Sequence, residues 1–92
     1  MKATQVKVVD LYKISVVFDD GVSGTVDLND LVQQGIFKEL KNDSLFYNVS
    51  TDGYAISWSD DLEIDAINLY AKITNKRPED LIQKHYQYAS NK

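Results

Sequence analysis

Two Asp-Gly dipeptides, Asp20-Gly21 and Asp52-Gly53, each fall between runs of alternating apolar residues. A tight turn between strands needs positive φ, which glycine adopts without steric cost. Upstream of the first dipeptide, Ile14, Val16 and Phe18 share one face of a strand, with Ser15 and Val17 on the other. Val6 and Val8 repeat the pattern one strand earlier, with a turn around residues 10–12. Downstream, Val22, Gly24 and Val26 share a face of a third strand. Gly24 weakens that strand, so it marks a bulge or the close approach of a neighbouring side chain. Around the second dipeptide, "LFYNVSTDGYAISWS" reads as another hairpin, with Tyr54, Ile56 and Trp58 placed inward. The first three strands are expected to form an antiparallel meander.

Elsewhere the period changes. Leu28, Leu31 and Val32 are spaced for one face of a two-turn helix, with Asp27 or Asn29 as N-cap and Gly35 as its stop. "IFKEL" adds a turn with Phe37 and Leu40 inward. From Asp65 onward, Ile67, Leu69, Tyr70, Ala71 and Ile73 form a helical face that ends at Thr74-Asn75. Pro78 opens a last helix lined by Leu81, Ile82, His85, Tyr86 and Ala89. The expected fold is α+β: a mostly antiparallel five-stranded sheet, a short helix after strand three and two C-terminal helices.

A chain of 92 residues is read as a single domain, 1–92. It has no cysteine, which excludes disulfides, zinc–thiolate sites and thiol nucleophiles together. Its first residues lack the apolar run of a secretory signal, and no segment approaches the ~20 apolar residues that span a bilayer. The expected compartment is the cytoplasm, with no membrane partner. Net charge is −4, unevenly spread. Residues 1–65 hold 12 acids against five bases, a net of −7, and residues 66–92 hold two acids against five bases, a net of +3. An acidic body repels a phosphate backbone, so direct nucleic-acid binding is not expected. A basic partner protein suits this field.

"WSDDLEID", Trp58 to Asp65, holds the only tryptophan and four carboxylates, Asp60, Asp61, Glu63 and Asp65. Alternate acids at 61, 63 and 65 partly match a calcium loop, but no glycine follows and residue 72 is a lysine. The simpler reading is a capped helix start near Ala66, with negative charge at the positive end of the helix dipole. A sharper version makes the cluster an acidic recognition edge. The carboxylates of the two Asp-Gly turns are read as turn-formers, because hairpin tips are too solvated for acid/base work. His85 is the only histidine and has no evident orienting partner, and the serines have no nucleophile-elbow context. No catalytic residue, metal ligand or cofactor site is therefore expected. Of the aromatics, Tyr86 and Tyr88 are the best interface candidates because they lie on the last helix, which is also the element for a homodimer.

The order of these pieces resembles a bacterial domain-of-unknown-function family, number 2442. The likeness lies in "VVFDDGVSGTVDLNDL", "FKEL", "LFYNV" and "GYAISWSDDLEIDAINLY", and it covers about residues 4–71, leaving 72–92 as an extension. The resemblance implies a small α+β domain with a curved antiparallel sheet. Some members carry a helix-turn-helix domain, for which "RPEDLIQKHYQYASNK" is too short. Others are free-standing proteins proposed as antitoxins. The preferred expectation is a non-enzymatic interaction module that masks a cognate toxin, or another basic partner, encoded nearby. Tyr54, Trp58, Asp60, Asp61, Glu63, Tyr86 and Tyr88 are its candidate contacts. The alternatives are a self-associating regulatory domain and a small metal-dependent enzyme using the acidic cluster.

Overall fold

A computed structural model describes residues 1–75. Six strands form two three-stranded antiparallel sheets, in place of the single five-stranded sheet expected from the sequence. The first is the expected meander: β1 (Ala3–Asp10), β2 (Lys13–Phe18) and β3 (Ser23–Asp27), in the order β1-β2-β3. The second is built from β4 (Ser50–Thr51), β5 (Ala55–Ser59) and β6 (Leu62–Asp65), again in chain order. They meet where the Ala3 N–H donates to the Gly53 carbonyl at 2.8 Å.

The alternation in β2 is realised without exception. Ile14, Val16 and Phe18 are buried, while Ser15 and Val17 are only half-buried. Gly24 lies opposite Val16 in unbroken register, so it is not a bulge. A Cβ built there would lie 2.8 Å from Cγ2 of Ile73, so glycine is needed for close approach of the helix.

The α-helix expected directly after β3, around Leu28–Val32, does not form. The Asp27 carboxylate folds back to accept the Asn29 N–H at 2.8 Å, making a turn where a helix was expected to start. Two 3-10 segments follow, Leu31–Gln33 and Gly35–Lys41, which still bury Val32 and Leu40. The short helix α1 (Asp43–Phe46) is capped by Asn42, whose side chain accepts from the Leu45 N–H at 3.4 Å. It delivers Phe46, which is fully buried, to the core.

Helix α2 (Ala66–Thr74) closes the described chain. It buries Ala66, Leu69 and Ala71 and ends at Asn75, whose left-handed conformation (φ 60°) satisfies the last carbonyls. One hydrophobic core joins both sheets, from Ile14, Val16 and Phe18 through Phe46 to Ile56, Trp58, Leu62 and Leu69. The last expected helix, with His85, Tyr86 and Tyr88, lies outside the described residues.

Candidate functional site

The acidic stretch folds as a hairpin before it becomes a helix. Asp60 and Asp61 form the tip between β5 and β6. Alternation carries Ile56, Trp58 and Leu62 into the core, at 0%, 2% and 1% exposure. Ser57 and Glu63 lie opposite each other and face outward, with the Ser57 hydroxyl 3.4 Å from the Glu63 Oε2. The register slips between Ser57 and Ser59, so β5 carries a bulge beside Trp58. A bulge disrupts the ladder locally and re-aims the side chains around it. Asp65 does occupy the N-cap of α2, as expected, but its carboxylate makes no capping bond. The first helical N–H, that of Ala66, goes instead to the Tyr54 carbonyl at 2.8 Å.

Beside the bulge is a groove of about 360 Å³ lined by Asn48–Ser50, Ser57–Asp60 and Glu63. The β4–β5 pairing places Ser50 opposite Ser57. Two carboxylates, three hydroxyls and an amide thus surround one opening, with no basic side chain in its lining. Trp58 forms part of the wall, and its ring stacks on Phe46 with centroids 6.3 Å apart and planes 17° apart. Its indole N–H is buried and has no acceptor among the described residues. A buried donor left unpaired costs roughly 1–3 kcal/mol, so this atom is a standing deficit in an otherwise satisfied core.

The groove gathers some of the expected contacts and separates others. Asp60 and Glu63 line it; Asp61 is exposed at the tip but outside the lining. Trp58 is buried in the core, inward as expected, and also lines the groove. Tyr54, expected inward, is 64% exposed at the opposite end of β5, with the Lys2 ammonium 5.2 Å from its ring centroid. Tyr54 points outward because the Asp52 carboxylate accepts both the Tyr54 and Ala55 N–H groups at 2.9 Å, holding residue 54 in the turn. Tyr86 and Tyr88 lie outside the described residues. Among the described residues no three His, Cys, Asp or Glu side chains gather closely enough to hold a metal ion.

The two Asp-Gly carboxylates are turn-formers, as expected. Asp52 is held below the ordinary carboxylate range by the Ala55 and Tyr54 N–H groups. Asp20 is held there by the Tyr70 hydroxyl first and the Val22 N–H second. Neither is poised to take a proton at neutral pH.

Sequence reasoning missed Asn48, Ser50, Ser57 and Ser59, because serines were weighed only as nucleophiles. A signal was present: with Asp52-Gly53 as the turn, Ser50 falls opposite Ser57, on the face that Trp58 does not use.

Among the described residues, no helix is long and apolar enough to cross a membrane. Compared with known families, residues 3–75 match the model described as "Protein of unknown function (DUF2442)". Comparison with curated proteins and with solved structures gave no match.

Proposed function

The chain belongs to the DUF2442 family of proteins of unknown function, and from that premise we propose that it is a non-enzymatic interaction module that binds and masks a basic partner protein. One observation carries the proposal: the β5–β6 hairpin presents Asp60, Asp61, Glu63 and Asp65 as exposed residues on a single short element. Residues 1–75 hold 12 acids and six bases, so the hairpin projects from a body of the same sign. Like-signed charges on a low-dielectric surface add into a field that steers an oppositely charged protein and fixes its orientation.

The mechanism is occlusion. The hairpin covers a working surface on the partner that is itself basic, as a surface that handles nucleic acid would be. The resemblance to antitoxin-like family members makes a toxin encoded beside this chain, in the cytoplasm, the first partner to test. Tyr54, exposed in the turn before β5, supplies a further apolar contact away from the hairpin tip.

Tagged protein co-expressed with its genomic neighbours, and again with Asp60→Asn, Asp61→Asn and Glu63→Gln combined, tests the proposal. A stoichiometric partner lost in the variant supports both the function and the site. A partner retained by the variant moves the site away from the hairpin, and no partner with any neighbour removes the masking function.

A further inference from the structure

We propose that Asp20-Gly21 is a site of isoaspartate formation and that the Tyr70 hydroxyl holds the reaction in check. This chemistry is independent of the masking function. In the first step the Gly21 backbone nitrogen bonds to Cγ of Asp20. The nitrogen gives up its proton and the carboxyl its hydroxyl, which leave together as water, and a five-membered succinimide closes. Water then opens the ring at either carbonyl. Opening at the main-chain carbonyl breaks the original peptide bond and leaves the backbone running through the former side-chain carboxyl. One water leaves and one returns, so composition is unchanged and no other reactant is consumed. Glycine favours ring closure because it brings no side chain against the attacking nitrogen. A Cβ built at Gly21 would meet nothing within 4 Å.

The chain carries this dipeptide twice, and the fold holds the two copies differently. Gly53 is buried, and a Cβ there would lie 3.6 Å from the Lys2 side chain. Its carbonyl accepts the Ala3 N–H at 2.8 Å, and its own N–H donates to the Thr51 Oγ1 at 3.0 Å. The Asp52 Oδ1 accepts both the Tyr54 and Ala55 N–H groups. That turn is therefore fastened by its own main chain and by β1. Gly21 is exposed, and its N–H donates to the Phe18 carbonyl at 3.1 Å. The Asp20 Oδ1 accepts the Val22 N–H at 3.0 Å, and Oδ2 accepts the Tyr70 hydroxyl at 2.6 Å. Of these three bonds, the one from Tyr70 alone reaches in from outside the turn. It opposes ring closure twice. A carboxylate tied at both oxygens is not free to swing its carbon onto the Gly21 nitrogen. The same bond is the largest influence keeping Asp20 ionised, and an ionised carboxylate is the poorer electrophile.

The test ages the full chain for weeks at mildly acidic pH and counts isoaspartate by electron-transfer fragmentation of tryptic peptides. Lys38 and Lys41 lie between the two dipeptides, so each falls in its own peptide. The rate at each site is taken relative to its rate in the same protein unfolded in urea, which removes the influence of neighbouring sequence. In the folded parent, residue 20 should react faster than residue 52 on this scale. Tyr70→Phe should raise the rate at residue 20 by about threefold or more, the effect of losing one hydrogen bond, and leave residue 52 unchanged. Residue 52 thus reports whether the variant has loosened as a whole. An equal rate at residue 20 in the parent and in folded Tyr70→Phe overturns the role of Tyr70. A rise at both sites overturns it too, because the hydroxyl then acts on the whole fold. A folded parent that reacts faster at residue 52 than at residue 20 overturns the site itself, and this comparison needs no variant.

Discussion

The Tyr70 hydroxyl donates to the Asp20 Oδ2 at 2.6 Å, joining helix α2 to the turn between β2 and β3 across 50 residues of sequence. The Tyr70 ring also packs edge-on against Phe18, with centroids 5.0 Å apart. The phenol thus serves two neighbouring elements at once, its ring against a strand and its tip against a turn.

Removing only the oxygen separates these roles. Tyr70→Phe keeps the contact with Phe18 and deletes the bond to Asp20. Its urea midpoint should fall below that of the parent protein at pH 7, with an unchanged m-value, because the fold is retained. An unchanged midpoint would leave the hydrogen bond without a measurable share in stability.

The pH dependence has a definite sign. Asp20, Asp27 and Asp52 each have a folded pKa below the ordinary carboxylate value, held there chiefly by Tyr70, Asn29 and Ala55 respectively. Their contribution is complete above about pH 3.9, the unfolded value, and is lost as pH falls through the lower folded values. Tyr70 is shifted the other way: its bond to Asp20 raises its pKa above about 10, so its contribution is present below that value and lost in stronger alkali. Thermal melting across pH 2–7 should show the parent losing more stability in acid than Tyr70→Phe does.

At Gly24 the prediction is steric. Alanine there puts a methyl 2.8 Å from the Ile73 Cγ2, closer than packed carbons come. Gly24→Ala should destabilise by about 1–3 kcal/mol, the range for overpacking. Gly24→Ala/Ile73→Ala should recover part of that loss relative to the sum of the single changes, which a double-mutant cycle in urea measures.

Phe46 holds the aromatic cluster together. Its ring lies 5.4 Å from Tyr12, 5.9 Å from Tyr47 and 6.3 Å from Trp58. Phe46→Ala should cost about 3–5 kcal/mol, a large share of the stability of a domain this size. Trp58 emission should shift to the red in the variant, as water reaches the vacated space.

Asp60→Asn/Glu63→Gln should leave the melting temperature within a degree or two of the parent, since both side chains are exposed. Partner capture should nevertheless fall by tenfold or more, and the parent's binding should weaken steeply with added salt.

Much of this fold was legible because alternation and turns agree locally. Ile14, Val16 and Phe18 announce β2 by parity alone, and Gly24 was read as a bulge or a close approach, the second of which Ile73 supplies. The number of strands was not legible. β4 is only two residues long, too short to show a period. In β6, Leu62, Glu63, Ile64 and Asp65 do alternate, but the acids drew attention to the helix that follows. The spacing of Leu28, Leu31 and Val32 suits a 3-10 turn as well as an α-helix, and the Asp27–Asn29 bond decides for the turn. Half of the site was legible as charge. The groove was not, because it depends on which residues face each other across β4, β5 and β6.

The bond from Ala3 to Gly53 joins two meanders that are each assembled from neighbours in sequence. Short-range hairpins close quickly, whereas joining distant segments waits on the loss of chain entropy. During synthesis the first strand leaves the ribosome early, yet its partner at Gly53 emerges fifty residues later. The first meander therefore has time to form alone, with one face of β2 uncovered until the second arrives. The seam at Ala3 is among the last parts of the molecule to be made, although it lies at the beginning of the chain.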